Sequence, residues 1–215
     1  MSAKDNILAR IRAANTAQAA TGEVASTAAA RLSAHPRGPM PTMTWDPLVQ
    51  FRACSIAAAS TIDEVRRRVE LPAAVARYLR QNSLPMSGVC WPEFGDLDWL
   101  DAGLEMQSRP ATGDDKVGVT GSFCALAETG TLVLLSGENQ AATTSLLPET
   151  HIAVVNTGRV VVSMEDVWDL LRAETGGLPR QINFVSGPSR TADIEMTLVY
   201  GAHGPFRVHV LLLDE

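Results

Sequence analysis

Short apolar runs alternate with amphipathic stretches over most of this chain. Gln181-Ile182-Asn183-Phe184-Val185, rich in β-formers, reads as a buried strand. Ser87–Trp91, Val117–Gly121, His151–Val155 and Val160–Val162 read as further strands. Arg207–Leu213 is a last one, with Val208, Val210 and Leu212 alternating against Arg207 and His209. Leu132–Leu135 is apolar on both faces, as a central strand of a parallel sheet requires. Helical spacing shows in Leu71, Val75, Tyr78 and Leu79, behind Pro72 at a position where proline is tolerated. Met164, Val167, Trp168 and Leu171 fall at i, i+3, i+4 and i+7, with Ser163 and Asp166 to cap them and Gly176-Gly177 to stop them. Leu48, Val49 and Phe51 open another helix, Cys54–Ala59 resembles a small-residue strand, and Thr61 with Glu64 stands in capping-box register for a helix after it. Ile194/Leu198 and Met196/Tyr200, each four apart, predict a helix over Ala192–Tyr200 that stops at Gly201. Strands alternating with helices predict an α/β class: an open, mostly parallel sheet covered by helices.

The N-terminal part differs. Ile7, Leu8 and Ile11 give one small apolar face, residues 13–34 are rich in Ala, Thr and Ser, and Pro36, Gly38, Pro39 and Pro41 follow. Residues 1–44 are therefore expected as a helical arm on a Pro/Ala-rich linker, and residues 45–215 as one α/β domain. At 215 residues, 46% of them apolar, the chain can bury a sizeable core. Its net charge of −6 argues against a general nucleic-acid binder. Absence of a signal-like apolar stretch or a membrane-length run makes the cytoplasm the expected location. Cys54, Cys90 and Cys124 are far apart, so no zinc or iron–sulfur framework and no metal site is expected.

Chemistry concentrates in three places. After the strand at 181–185 come Ser186, Gly187, Pro188, Ser189, Arg190 and Thr191, then Asp193 and Glu195. A strand, a small-residue turn and a helix start would gather backbone N–H groups, hydroxyls and a guanidinium into an anion pocket. The plainer alternative has Ser189 or Thr191 capping the helix and Arg190 pairing with Asp193. Asp193 and Glu195 lie roughly 200° apart on a helix, so both cannot face one ligand. Glu128-Thr129-Gly130-Thr131 offers a carboxylate base or nucleophile, or a turn cap. His203, followed by Gly204 and Pro205, offers an acid/base or anion contact, or a histidine bonding the last carbonyls of a helix. His151 and His209 read as structural, Trp91 and Trp99 as core plugs or interface anchors.

Ala127–Leu134, Leu147–Ile152, Ser186–Glu195 and Gly201–Pro205 together resemble the lactate-utilization (LUD) domain, and among its members the lactate-utilization protein C family. The resemblance spans roughly residues 45–215. It implies a fold related to the sugar-phosphate isomerase and CoA-transferase group. It also implies a subunit of a bacterial system oxidising L-lactate to pyruvate, whose iron–sulfur clusters sit in partner subunits. This chain would be the cluster-free member with no cofactor of its own, binding a small anion or a partner. The expected ligand contacts are Thr129, Gly130, Thr131, Ser186, Gly187, Ser189, Arg190, Thr191, Asp193, Glu195 and Gly204, with Glu128 and His203 as the catalytic candidates. The alternatives are a free-standing isomerase or acyl-transfer enzyme on a phosphorylated or CoA-linked metabolite, and a structural or regulatory binding module. The oligomeric state stays open.

Overall fold

The computed structural model describes residues 3–17, 22–191 and 199–215. Contacts divide the chain into two compact units, residues 1–42 and 43–215. The first holds helices α1 (Ala3–Ala17) and α2 (Gly22–Ala34). Helix thus extends through residues where composition predicts linker, because alanine has the highest intrinsic helix propensity and needs no apolar face to express it.

The second unit opens with α3 (Pro47–Ala57), which starts on an Asp46 side-chain cap and Pro47. The small residues from Cys54 extend this helix instead of forming the expected strand. Its end comes at Ala58 and at Ala59, whose φ is 68°. Next is β1 (Thr61–Val65), where the Thr61/Glu64 spacing predicted a helix start. Full parallel pairing with the last strand of the chain outweighs that local signal. There follow α4 (Leu71–Gln81), β2 (Ser87–Cys90), β3 (Glu105–Ser108), β4 (Val117–Thr120), β5 (Cys124–Leu126), β6 (Thr131–Leu135), α5 (Thr143–Leu146), β7 (Thr150–Asn156), β8 (Val160–Val161) and α6 (Met164–Thr175). The chain ends with β9 (Ile182–Val185), β10 (Arg190–Thr191), β11 (Val199–Tyr200) and β12 (Arg207–Leu213).

Six strands in the order β1-β12-β7-β4-β2-β3 form one sheet, every pair parallel. Burial of β7 and β12 along almost their whole length matches their place at its centre. A second sheet, β8-β5-β6-β9, pairs β6 antiparallel to both of its neighbours. Leu132–Leu135 is therefore a buried strand, but of this antiparallel layer rather than of the parallel sheet. The main core joins the parallel strands to Phe51, Leu71, Leu79 and Leu104, with Trp91 and Trp99 both buried in it. A smaller one sets Val167 and Leu171 of α6 against Cys124, Leu126 and Val133. The capping box of Ser163 and Asp166 and the left-handed Gly176 bound α6 as the sequence predicts.

Residues 192–198 of the predicted helix lie outside the described residues. Its last two residues, Val199 and Tyr200, are strand and pair antiparallel with Thr191 and Arg190. No helix among the described residues is long and apolar enough to cross a membrane.

Candidate functional site

The C-terminal half of α3 brings the Glu128–Thr131 loop and the Ser186–Arg190 turn together. Ser55 Oγ donates to Gly130 O at 3.1 Å, and Cys54 Sγ donates to Glu128 O at 3.6 Å while accepting from Gln50 Nε2 at 3.2 Å. On the other side, Arg190 Nη2 donates to the Ala58 carbonyl at 2.8 Å. A helix end carries partial negative charge on its last carbonyls, so a guanidinium there is favourable. Among the described residues, Arg190 also meets the Tyr200 ring, 6.0 Å away. Arg190 itself lies in β10, paired with Tyr200, and the helix start expected after it falls outside the described residues. Asp193, its expected partner, and Glu195 lie outside the described residues.

Two glycines allow this approach. Gly130 has φ +66° and Gly187 φ +76°, conformations that favour glycine. A Cβ on Gly130 would stand 2.3 Å from Ser55 N, and one on Gly187 would stand 2.1 Å from Ala58 O. Across the gap runs a line of hydroxyls. Thr129 Oγ1 and Thr131 Oγ1 lie 2.7 Å apart, and Thr131 Oγ1 and Ser186 Oγ 2.6 Å. Thr131 is buried, whereas Thr129 and Ser186 are exposed. Three hydroxyls closing two bonds keep one O–H to spare, which suits an acceptor such as a carboxylate or phosphate oxygen.

Glu128 has a different duty from a free base. Its Oε1 accepts from Met164 N at 3.0 Å, at the first turn of α6, where a carboxylate is favoured by the helix dipole. Ser189 lies in a neighbouring group. Its N–H donates to Pro205 O and its carbonyl accepts from Gly201 N, each at 2.9 Å. Its Oγ accepts from the backbone N–H of His203 at 3.4 Å, and Gly204 lies beside it. The His203 residue is exposed, and it is its backbone, not its ring, that makes this bond. Thr191 belongs to β10. Sequence reading missed Gln50, Cys54, Ser55 and Ala58. Only the run of small residues at Ala57, Ala58 and Ala59 hints that another backbone approaches there.

Both central histidines are structural in placement. His151 is fully buried with Nε2 2.8 Å from Thr120 Oγ1, and His209 stacks on Tyr78 with Nδ1 2.8 Å from Thr61 Oγ1. Among the described residues, no group of three His, Cys, Asp or Glu side chains is placed to hold a metal ion.

Known proteins agree with this architecture. Lactate utilization protein C of Bacillus subtilis (strain 168) is 37% identical over 129 residues, 58% of this chain and 54% of that protein. Its counterpart in Exiguobacterium sp. is 35% identical over 143 residues, 65% of this chain and 62% of that protein. The chain thus spans little more than half the length of these relatives. The crystal structure of a DUF162 family protein from Deinococcus radiodurans shares the fold, with a TM-score of 0.59 at 24% identity over 81% of this chain and 100% of that one. The LUD domain model matches residues 92–213, more than half of the sequence, and the chain belongs to the LUD domain family.

Proposed function

We propose that this chain serves L-lactate utilization as a cluster-free subunit that works beside iron–sulfur partners oxidising lactate to pyruvate. The observation that carries this reading is its 35–37% identity to proteins named lactate utilization protein C. In this reading the clusters belong to the partners, and the hydroxyl line with Arg190 takes a small anion or an acidic group of a partner. Glu128 favours a binding role over a self-sufficient isomerase or acyl-transfer enzyme, since one carboxylate oxygen is held by the Met164 N–H. Deleting the gene from its host is expected to abolish growth on L-lactate while growth on pyruvate continues. Equal growth of mutant and parent on both carbon sources would refute the reading.

Arg190 gives a test of the site itself. Because Arg190 is exposed and, among the described residues, bonds the Ala58 carbonyl, Arg190→Ala is expected to melt close to wild type in plain buffer. Ligand stabilisation follows affinity, so the variant should lose the rise in melting temperature that phosphate or L-lactate gives the wild type. An equal rise in both proteins would remove Arg190 from the site.

A further inference from the structure

At the carboxyl ends of β2 and β4 the chain leaves the main sheet through Trp91-Pro92-Glu93 and Gly121-Ser122-Phe123. A cleft of about 360 Å³ opens there, lined also by Leu135 and Gln140. From β2 the chain moves outward to β3, whereas from β4 the next strand of the sheet is β7, on the opposite side. Adjacent parallel strands whose connections diverge leave a crevice beyond their carboxyl ends, and that is where open α/β sheets take ligands. The cleft is separate from the hydroxyl line. Phe123 and Leu135 flank the open end of the β5–β6 pair, and Thr129 and Gly130 form its turn.

Charge in the cleft is unevenly compensated. Arg159 and Glu174 on one wall neutralise each other through bonds of 2.7 and 2.8 Å. The Trp91 indole N–H is spent on Ala141 O, and the Ser122 hydroxyl on Val154 O. That leaves Glu93. It is an exposed residue of the cleft wall, yet the protein around its carboxyl pushes its pKa above the ordinary glutamate value. A hydrogen bond from the Gly121 backbone and the charge of Arg68 offset this only in part. Arg68 bonds Asp96 at 3.0 Å and also donates to the Glu93 backbone carbonyl. An alanine Cβ at position 121 would stand 2.2 Å from Glu93 Oε1, so the glycine gives the carboxyl its place over the strand end.

We infer that this cleft is a second ligand site, taking a small organic cation with its ammonium or amidinium head on Glu93 and its apolar body against Trp91, Phe123 and Leu135. Such a cation adds to the partial compensation that Arg68 and the Gly121 N–H give the carboxylate, beside a Phe123 ring that already carries the Arg159 guanidinium at 4.9 Å. The volume fits a molecule of one ring and a short arm.

The test is titration of the isotope-labelled full chain with benzylammonium, with benzoate as the anion of like shape, read by NMR. Saturable shifts of the Gly121 amide and the Trp91 indole are expected with benzylammonium and not with benzoate. Glu93→Gln should bind benzylammonium about tenfold more weakly, as loss of a charge-assisted bond requires. Gly121→Ala, which displaces the carboxyl, should weaken it likewise if Glu93→Gln fails to fold. Arg190→Ala should bind as wild type does. No shifts with benzylammonium, equal binding of benzoate, or undiminished binding by the folded variants would overturn the inference.

Discussion

Acidification from pH 6.5 to 4 is expected to unfold this protein. Burial holds His151 and His209 neutral, each with its pKa lowered from 6.5 to about 4. For His209, Asp63 pulls the other way and Arg77 adds to the lowering, but desolvation dominates. One ring nitrogen of each, Nδ1 of His151 and Nε2 of His209, has no partner among the described residues to share a new proton's charge. Since the folded-state pKa lies below the unfolded one, the unfolded chain binds more protons between the two values. Stability is therefore full above pH 6.5, falls as pH drops toward 4, and levels off below it. A shift of this size corresponds to roughly 3 kcal/mol per histidine. Two such terms rival the whole stability of an ordinary domain, about 5–15 kcal/mol. Chemical denaturation at stepped pH should show a steep loss across this window. In His151→Asn and His209→Asn that slope should shrink, and an unchanged slope in both would sink the assignment.

The second large effect concerns the glycines at α3. Gly187→Ala should destabilise the fold by about 3 kcal/mol, from left-handed strain plus overlap with a backbone that cannot move alone. Gly130→Ala should do the same, its Cβ meeting Ser55 N and the carbonyl carbon of Cys54. Gly176→Ala is the control. Gly176 has φ +62° but nothing within 4 Å of an added Cβ, so only the conformational cost of about 1 kcal/mol applies. Urea melts of the three variants separate the contributions. If Gly187→Ala is no worse than Gly176→Ala, the turn does not press against Ala58.

What could be read from the sequence was what neighbours in the chain decide. The capping box and periodic face of α6 are local, as are the stripe of α4 and the apolar runs of β7 and β12. An apolar run, however, does not state which sheet it joins or in which direction, and so β6 was assigned to the parallel layer. Thr61 and Glu64 carry a helix-start pattern, but partners 148 positions away, such as His209 opposite Thr61, decide for strand. The site followed the same division. Glu128–Thr131 and Ser186–Arg190 stood out by residue type, and Thr131 does meet Ser186. Their shared support, the end of α3, is 132 positions from Arg190 in sequence, and its Cys54, Ser55 and alanines carry no local pattern that points to a site.

The position of β12 bears on how the protein is made. The strand formed by Arg207–Leu213 is the last of the chain, and it separates β1 from β7 within the sheet. On a ribosome, β1 emerges well before β12 and has no partner in the sheet until β12 has also emerged. Its apolar positions and unpaired edge must wait while the intervening residues are made, the situation in which nascent chains call on chaperones. Sheet completion therefore waits for β12, and a product that stops short of it lacks a central strand between β1 and β7.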